Sequence, residues 1–187
     1  EVLRLGLDGY VIDAEHQYKE PGKKDAAVRF MNALRAGLPN ILVALSSYRY
    51  PSYHPSLPWR EFLDRCDFNM PQVYWQSANN PAAQLERSLR EFQGMTPIRA
   101  IFPTGAAYTE HNWTPRVSEI TAFLDKAQEL NLPGANFWEW AAARRLGLWD
   151  TVARFPWRGA PPVAKDIAQL YVDALNTRRV DDVVALY

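Results

Sequence analysis

The sequence lacks the features that would assign it to several common protein classes. Its 187 residues include one cysteine, Cys66, so no disulfide can form within the chain and no cysteine-rich zinc cluster is present. No apolar run approaches the roughly 18 residues that a transmembrane helix requires. The 21 lysine and arginine residues balance the 21 aspartate and glutamate residues. Neither nucleic acid nor an anionic membrane surface is therefore indicated as a partner.

Motifs for cofactors and metals are also missing. No glycine-rich phosphate loop follows a strand, and there is neither a nucleophile elbow nor a Ser-His-Asp order. The histidines, His16, His54 and His111, lie in three separate loops and lack the spacing of a metal site. We therefore expect no cofactor and no metal ion.

Aromatic residues are abundant, with 7 Trp, 9 Tyr and 8 Phe in a chain that is 48% hydrophobic. The hydrophobic content is that of a globular domain. Many of the aromatics stand beside Pro, Gly, Ser and Asn in predicted loops, where they are less often part of a core. Stacking on the apolar faces of sugar rings would use them, and ordinary packing is the alternative.

Short apolar runs alternate with amphipathic segments along the chain. Strands are predicted at 10–12, 41–47, 68–75, 98–105 and 134–140, and helices at 23–36, 58–65, 81–92, 114–130 and 141–153. Near-continuous apolar strands are typical of a parallel sheet buried under helices, in either a doubly wound sheet or a (β/α)8 barrel. The missing phosphate loop disfavours the doubly wound sheet. Polar and aromatic residues at the carboxyl ends of the strands favour the barrel: Asp13, Glu15, Ser46, Ser47, Gln72, Tyr74, Thr104 and Glu139.

The predicted fold class is therefore α/β, the C-terminal part of a (β/α)8 TIM barrel with about five βα units over residues 1–158. Three further units are expected upstream of Glu1. Residues 159–187 are predicted to be a linker and a helical segment. The stretch DIAQLYVDALNTRRVDDVVALY resembles the start of a ketosteroid-isomerase-like domain. A helical hairpin packed on the barrel is the alternative.

The stretch LDGYVIDAEH, residues 7–16, contains the candidate catalytic pair. Asp13 and Glu15 are two residues apart at the end of a strand, so both side chains point to the same face. Hydrolysis of a glycosidic bond needs a carboxylic acid to protonate the leaving oxygen and a second group to stabilise the sugar cation. We expect Glu15 to be the acid and Asp13 its partner. A salt bridge with Lys19 or Arg4 is the alternative.

The segment DGYVIDAE resembles the strand-four motif of family 18 chitinases, D-G-x-D-x-D-x-E. Asp8, Gly9, Asp13 and Glu15 match this motif, and Val11 stands where that family has its middle aspartate. The D-x-E ending also resembles that of family 25 muramidases. Over residues 5 to 150, with ALSSYRYPSYHPSLPW included, the chain also resembles an uncharacterised bacterial group of glycosidase-like barrels.

Further segments extend the resemblance to the chitinases. MPQVYW, which contains Gln72, Tyr74 and Trp75, is similar to their strand-six element, and Trp138 is similar to their floor tryptophan. The resemblance implies Glu15 as general acid, Asp13 as its partner, Tyr74 as a ligand of the reacting centre and Trp138 as the floor of a subsite.

Two further segments supply candidate substrate contacts. Residues 46–59 form a proline-stiffened loop in which Tyr48 and Arg49 would line a sugar-binding wall, and a rigid structural loop is the alternative. Glu139, in NFWEW, would be a second carboxylate of a retaining mechanism or else a partner for Arg144 or Arg145.

These patterns predict a glycoside hydrolase-like barrel that cleaves or binds an amino-sugar polysaccharide or oligosaccharide of the peptidoglycan or chitin type. A non-catalytic carbohydrate-binding module on a decayed barrel is the alternative, and Val11 favours it. A barrel enzyme of other chemistry, such as a lyase, is a third class. The sequence leaves the choice between retention and inversion open. It does not fix the localisation either, although a wall-degrading enzyme would be secreted or associated with the cell wall.

Overall fold

The computed structural model describes residues 1–158, which form a parallel sheet with alternating helices. The strands are β1 (Gly9–Asp13), β2 (Leu42–Tyr48), β3 (Phe68–Gln72), β4 (Ala100–Ile101), β5 (Thr104–Ala106) and β6 (Asn136–Trp138). The helices are α1 (Val2–Leu5), α2 (Lys23–Gly37), α3 (Trp59–Leu63), α4 (Pro81–Gln93), α5 (Val117–Glu129), α6 (Trp140–Arg145) and α7 (Trp149–Ala153). The predicted helical segment at 159–187, with its resemblance to a ketosteroid-isomerase-like domain, lies outside the described residues.

All the strand pairs are parallel, in the order β1-β2-β3-β5-β6, and β4 pairs with β3. The sheet is curled like part of a barrel, which confirms the predicted α/β fold class of a partial (β/α)8 barrel. The register aligns the strand ends, because Asp13 is opposite Ser46, Tyr48 is opposite Gln72 and Gln72 is opposite Thr104. The carboxyl ends of the strands therefore meet at one edge.

The two faces of the sheet are filled differently. The face under the helices packs on the main core, to which α2 contributes Ala27 and Met31, one helical turn apart. The concave face holds a smaller cluster of Ala44, Phe68, Met70 and Phe102. Polar side chains follow these residues toward the carboxyl edge. The apolar cluster on the concave face therefore stops short of the carboxyl edge, and the polar side chains at that edge are the ones that could contact a ligand.

Arg35, in the last turn of α2, joins that helix to the amino ends of two strands. Its guanidinium donates to the carbonyls of Arg65 and Ile41 at 2.8 and 2.7 Å and to Asp67 Oδ2 at 2.7 Å. The same Asp67 oxygen accepts from the backbone N–H of Val43 at 2.7 Å. This network fixes β2 and β3 relative to the helix that precedes them.

Two predicted strands differ from those observed. The strand predicted at 98–105 is divided into β4 and β5 at Phe102 and Pro103, because Pro103 has no N–H to donate to a neighbouring strand. The strand predicted at 68–75 ends earlier, at Gln72.

The predicted helices differ at two points. The helix predicted at 141–153 is interrupted by Gly147, whose φ of 69° is left-handed, and becomes α6 and α7. The helix predicted from Thr114 begins at Val117, where the Glu119 carboxylate accepts from the N–H of Arg116 at 2.8 Å. None of the helices within residues 1–158 combines the length and apolarity needed to cross a bilayer.

We predict that Arg35→Ala lowers the free energy of unfolding by about 2 kcal/mol, because it removes hydrogen bonds to two carbonyls and a carboxylate. Arg29→Ala, on an exposed position of the same helix, is the matched control and should change it little. Urea denaturation followed by circular dichroism measures both values. Equal effects of the two substitutions would contradict the assigned role of Arg35.

Candidate active site

Asp13 and Glu15 lie at the carboxyl edge on the open side of the sheet. The chain continues in register past the end of β1, since the N–H of Ala14 donates to the carbonyl of Ser46 at 3.0 Å. Ser47 lies on the opposite, buried face, and its hydroxyl donates to the carbonyl of Ala14. These two bonds keep the peptide extended between the acids, so both carboxylates point to the same side.

The carboxyl group of Glu15 lies close enough to Asp13 to act on its charge. Partial burial and the charge of Glu15 raise the pKa of Asp13, and the hydrogen bond from Gln72 acts against that rise. Gln72 Nε2 donates to Asp13 Oδ1 at 2.9 Å and lies 3.3 Å from Ser46 Oγ. Asp13 therefore holds its proton to a higher pH than an isolated aspartate would.

Neither salt bridge that was considered for this pair forms. Arg4 pairs with Glu1, and the Lys19 ammonium lies 3.4 Å from His54 Nδ1. Within residues 1–158, neither Asp13 nor Glu15 forms an ion pair with a lysine or arginine. The two carboxyl groups are therefore available to interact with a ligand.

Two phenols lie next to the acids. Burial raises the pKa of Tyr74 well above its usual range, helped by Tyr108 and by the charges of Asp13 and Glu15. Burial and the charge of Glu110 raise the pKa of Tyr108 to about 12. The two rings meet edge to face with their centroids 5.4 Å apart. Both phenols are therefore neutral hydrogen-bond donors at physiological pH.

Hydrogen bonds to α4 hold the loop after β2 in place, and one further bond within the loop fixes its far end. Ser88 Oγ donates to the carbonyl of Arg49 at 2.7 Å, the Tyr50 hydroxyl donates to Gln84 Oε1, and Ser52 N–H donates to Glu91 at 3.0 Å. At the far end of the loop, Trp59 Nε1 donates to a backbone carbonyl at 2.9 Å. The loop is thus a rigid structural element, as one of the two sequence interpretations expected, and it also lines the cleft.

His54 lies in this loop and was not among the predicted site residues. Its ring stacks on Tyr48 at a centroid distance of 3.7 Å and an interplanar angle of 19°. Desolvation and the ammonium of Lys19 lower its pKa. His54 is therefore neutral at physiological pH and forms a flat polar wall together with Tyr48.

These side chains surround a cleft of about 580 Å³. Six of the predicted site residues line it: Glu15, Tyr48, Arg49, Gln72, Tyr74 and Trp138. Asp13 joins them through its hydrogen bond to Gln72. Six further lining residues were not predicted as site residues: Tyr50, Tyr53, His54, Tyr108, Thr109 and Glu110. Their sequence signal is their position in loops that directly follow β2 and β5.

Trp75 and Glu139, two of the predicted substrate contacts, do not line the cleft. Trp75 is fully buried in the main core and packs against Phe123 at 5.2 Å, because it directly follows Tyr74 and its side chain points to the opposite side of the chain. Glu139 caps α6 by accepting from the N–H groups of Ala141 and Ala142 at 3.1 and 2.6 Å. Its carboxylate also lies 3.7 Å from Arg145, the partner that the alternative interpretation named.

Arg49 and Trp138 occupy opposite parts of the cleft. The Arg49 guanidinium donates to the carbonyl of Tyr74 and lies 5.1 Å from the Tyr50 ring, and no carboxylate among residues 1–158 forms an ion pair with it. Trp138, at the end of β6, keeps 56% of its surface exposed. Arg49 thus gives the cleft a cation, and Trp138 gives it an exposed aromatic side chain. Within residues 1–158, no group of three His, Cys, Asp or Glu side chains could hold a metal ion.

No protein-family model and no curated protein match the chain. Among solved structures it is similar to bee venom hyaluronidase, with 14% identity and a TM-score of 0.49 over 74% of this chain and 67% of that one. A second structure of bee venom hyaluronidase, in complex with a hyaluronic acid tetramer, has 15% identity and a TM-score of 0.49 over 71% of this chain and 50% of that one. The PgaB (BpsB) glycoside hydrolase domain from Bordetella bronchiseptica has 13% identity and a TM-score of 0.45 over 73% and 43%. The chain therefore spans between 43% and 67% of the length of these structures.

We predict that Glu15→Gln lowers the pKa of Asp13, because it removes the neighbouring negative charge and replaces the hydrogen-bonded carboxyl group with an amide that can donate. Carbon-detected NMR titration of the Asp13 side-chain carboxyl measures the change. Glu20→Gln, at an exposed position outside the cleft, is the control and should leave the pKa in place. An unaltered Asp13 pKa in Glu15→Gln would show that the two carboxyl groups do not interact.

Proposed function

We propose that this chain is the catalytic part of a glycoside hydrolase that cleaves amino-sugar polysaccharides of the chitin or peptidoglycan type. The observation that supports this most directly is the neighbouring pair of Asp13, whose pKa is raised, and Glu15 at the edge of an aromatic cleft. A carboxylic acid that stays protonated near neutral pH can protonate a glycosidic oxygen. The aromatic side chains around it suit the apolar faces of sugar rings.

The pair acts as a single acid and not as two groups on opposite sides of the bond. An acid and a nucleophile on opposite sides of a sugar lie about 5 Å apart in retaining enzymes, and the two carboxyls lie about 6.5–9.5 Å apart in inverting ones. Asp13 and Glu15 are two residues apart in one extended segment and point to the same side, so they do not stand on opposite sides of a bound sugar as either arrangement requires. Glu15, which lines the cleft, delivers the proton, and Asp13 holds Glu15 in position and stores the proton between turnovers.

A second group must then stabilise the developing sugar cation. In an amino-sugar substrate, the carbonyl oxygen of the 2-acetamido group can attack the anomeric carbon and form a cyclic intermediate that water later opens. Tyr74 lies beside the acids as a neutral donor and is suited to orient that carbonyl oxygen. Two successive displacements at the anomeric carbon give net retention. We choose an amino-sugar substrate because, in this mechanism, the protein supplies the acid and the acetamido group of the substrate supplies the nucleophile.

Within residues 1–158, Glu110 is the carboxylate besides Glu15 that lines the cleft. It is the alternative candidate for the nucleophile. It lies in the turn after β5, where its backbone pairs with that of Trp113 and its side chain lies 3.8 Å from His111. If Glu110 were the nucleophile, the substrate would not need an acetamido group. Replacement of Glu110 therefore distinguishes the two routes.

A non-catalytic sugar-binding module is the second candidate, and the position of Val11 favours it. Val11 is 48% exposed and lies opposite Ala44, on the same face of β1 as Asp13. It stands where the resemblance to family 18 chitinases expects a carboxylate. A module without catalysis would keep the aromatic contacts and show no cleavage, which the following two experiments separate.

We predict that Glu15→Gln reduces hydrolysis of a chitin oligomer about 100-fold or more, because general acid catalysis supplies roughly 10² to 10⁴ in rate. Asp13→Asn should also reduce it, and Glu110→Gln should retain most of the activity. Release of reducing ends from the oligomer measures all three. Full activity in Glu15→Gln would remove Glu15 from the mechanism, and loss of activity in Glu110→Gln would assign the nucleophile to Glu110.

We predict that Trp138→Ala weakens oligosaccharide binding by about 1–3 kcal/mol, the range expected when one large apolar side chain is removed. Glu15→Gln should bind nearly as tightly as the wild type, since the acid acts mainly in the transition state. Calorimetric titration with chitin and peptidoglycan oligomers measures both. If the wild type binds none of these oligomers, the sugar-binding proposal is wrong.

A further inference from the structure

Tyr53 is an exposed aromatic side chain that lines the cleft. It ends the short 3₁₀ turn Pro51–Tyr53 in the loop after β2, and 61% of its surface is open to solvent. An aromatic ring that is exposed to this degree contributes little to the core. Exposed apolar surface of this kind lowers solubility and often marks a place where a ligand binds.

Arg87 of α4 holds the Tyr53 side chain in one orientation. Its guanidinium lies 4.5 Å from the Tyr53 ring centroid and 4.0 Å from that of Tyr50, and it donates to the Tyr53 hydroxyl at 2.8 Å. The rings of Tyr50 and Tyr53 meet edge to face at 5.3 Å. The ring is therefore supported by a cation and by a second ring, and it loses little conformational entropy when a ligand stacks on it.

The backbone of the turn is fixed to the same helix. Glu91 accepts from the N–H of Ser52 at 3.0 Å and from Arg87 Nε at 2.9 Å, so one carboxylate fixes both the turn and the arginine. Prolines at positions 51 and 55 stiffen the chain on either side of Tyr53. An exposed side chain held by this number of contacts is typical of a binding surface and not of a mobile loop tip.

Tyr53 and Trp138 lie at well-separated places along the cleft. Trp138 ends β6, whereas Tyr53 follows β2 and leans on α4, and three strand spacings separate β2 from β6 in the sheet. At about 4.8 Å per spacing, the strand ends are about 14 Å apart along the sheet, which exceeds the length of one pyranose ring. One sugar unit cannot stack on both rings.

We propose that Tyr53 forms a second sugar subsite, separate from that at Trp138, so that the ligand of this cleft is a chain of several sugar units. The inference rests on the proposed function and extends it from the chemistry of one bond to the length of the substrate. One sugar unit stacks on Trp138, and another unit of the same chain stacks on the open face of Tyr53. Arg87 is the positioning residue of this subsite.

Binding of oligomers of different length to the Tyr53 variants tests the inference. The full chain is titrated calorimetrically with chitin oligomers of two to six units. For the wild type, the affinity should increase by about tenfold or more once the oligomer is long enough to reach Tyr53. Tyr53→Ala should abolish that increase and leave the affinity for the disaccharide unchanged, and Tyr53→Phe should retain it because the ring is kept. Tyr10→Ala, an exposed tyrosine outside the cleft, is the matched control and should behave as the wild type does.

Each remaining outcome decides one question. If Tyr53→Ala has no effect at any length, or the same effect at every length, the second subsite is wrong while the proposed function stands. If short oligomers bind in a manner that depends on Trp138 but longer ones bind no better, the inference likewise fails by itself. If no oligomer binds to the wild type, the proposed function fails and the subsite fails with it.

Discussion

The parallel register of the sheet is the constraint on which the cleft depends. Because Asp13 is opposite Ser46, and Tyr48 and Thr104 are both paired with Gln72, residues distant in sequence meet at one edge. The hydrogen bond from Gln72 to Asp13 spans three strands in this way, at 2.9 Å. A shift of one residue in the pairing of β1 with β2 would move Asp13 and Glu15 to the face under the helices. The network around Arg35 fixes the amino ends of β2 and β3 and so helps to maintain the register.

Two properties of the cleft suit it to catalysis: the electrostatics of the carboxyl pair and the fixed position of the cleft wall. The carboxyl pair is prepared electrostatically, since partial burial and the charge of Glu15 raise the pKa of Asp13. The cleft wall is prepared mechanically, since the loop after β2 is fixed to α4 through Ser88, Gln84 and Glu91. A hydrolase needs both, because the acid must stay protonated and the sugar must be held against it. The aromatic surface alone would bind without cleaving.

The sequence was sufficient for the parts of this account that depend on local pattern. Apolar runs followed by polar residues predicted the parallel sheet, its partial barrel form and the placement of Asp13 and Glu15 at a strand end. It was insufficient where tertiary contacts decide. Trp75 was expected at the cleft with Tyr74, but adjacent residues of an extended chain point to opposite sides, and Trp75 lies in the core. Glu139 resembled a catalytic acid, yet the free N–H groups of α6 bind it. The loop of residues 46–59 was expected to line the site, but which of its side chains reach the cleft, among them His54 and Tyr53, depends on how the loop folds.

The stereochemistry of cleavage tests the central claim most directly. If Asp13 and Glu15 act as one acid and the substrate supplies its own nucleophile, the first sugar released from an N-acetylated oligomer retains the configuration of the bond that was broken. Proton NMR recorded during the first minutes of the reaction identifies the anomer before it equilibrates. The account predicts retention with the acetylated oligomer and no cleavage of the same oligomer after removal of its acetyl groups. Inversion, or equal cleavage of both oligomers, would contradict it.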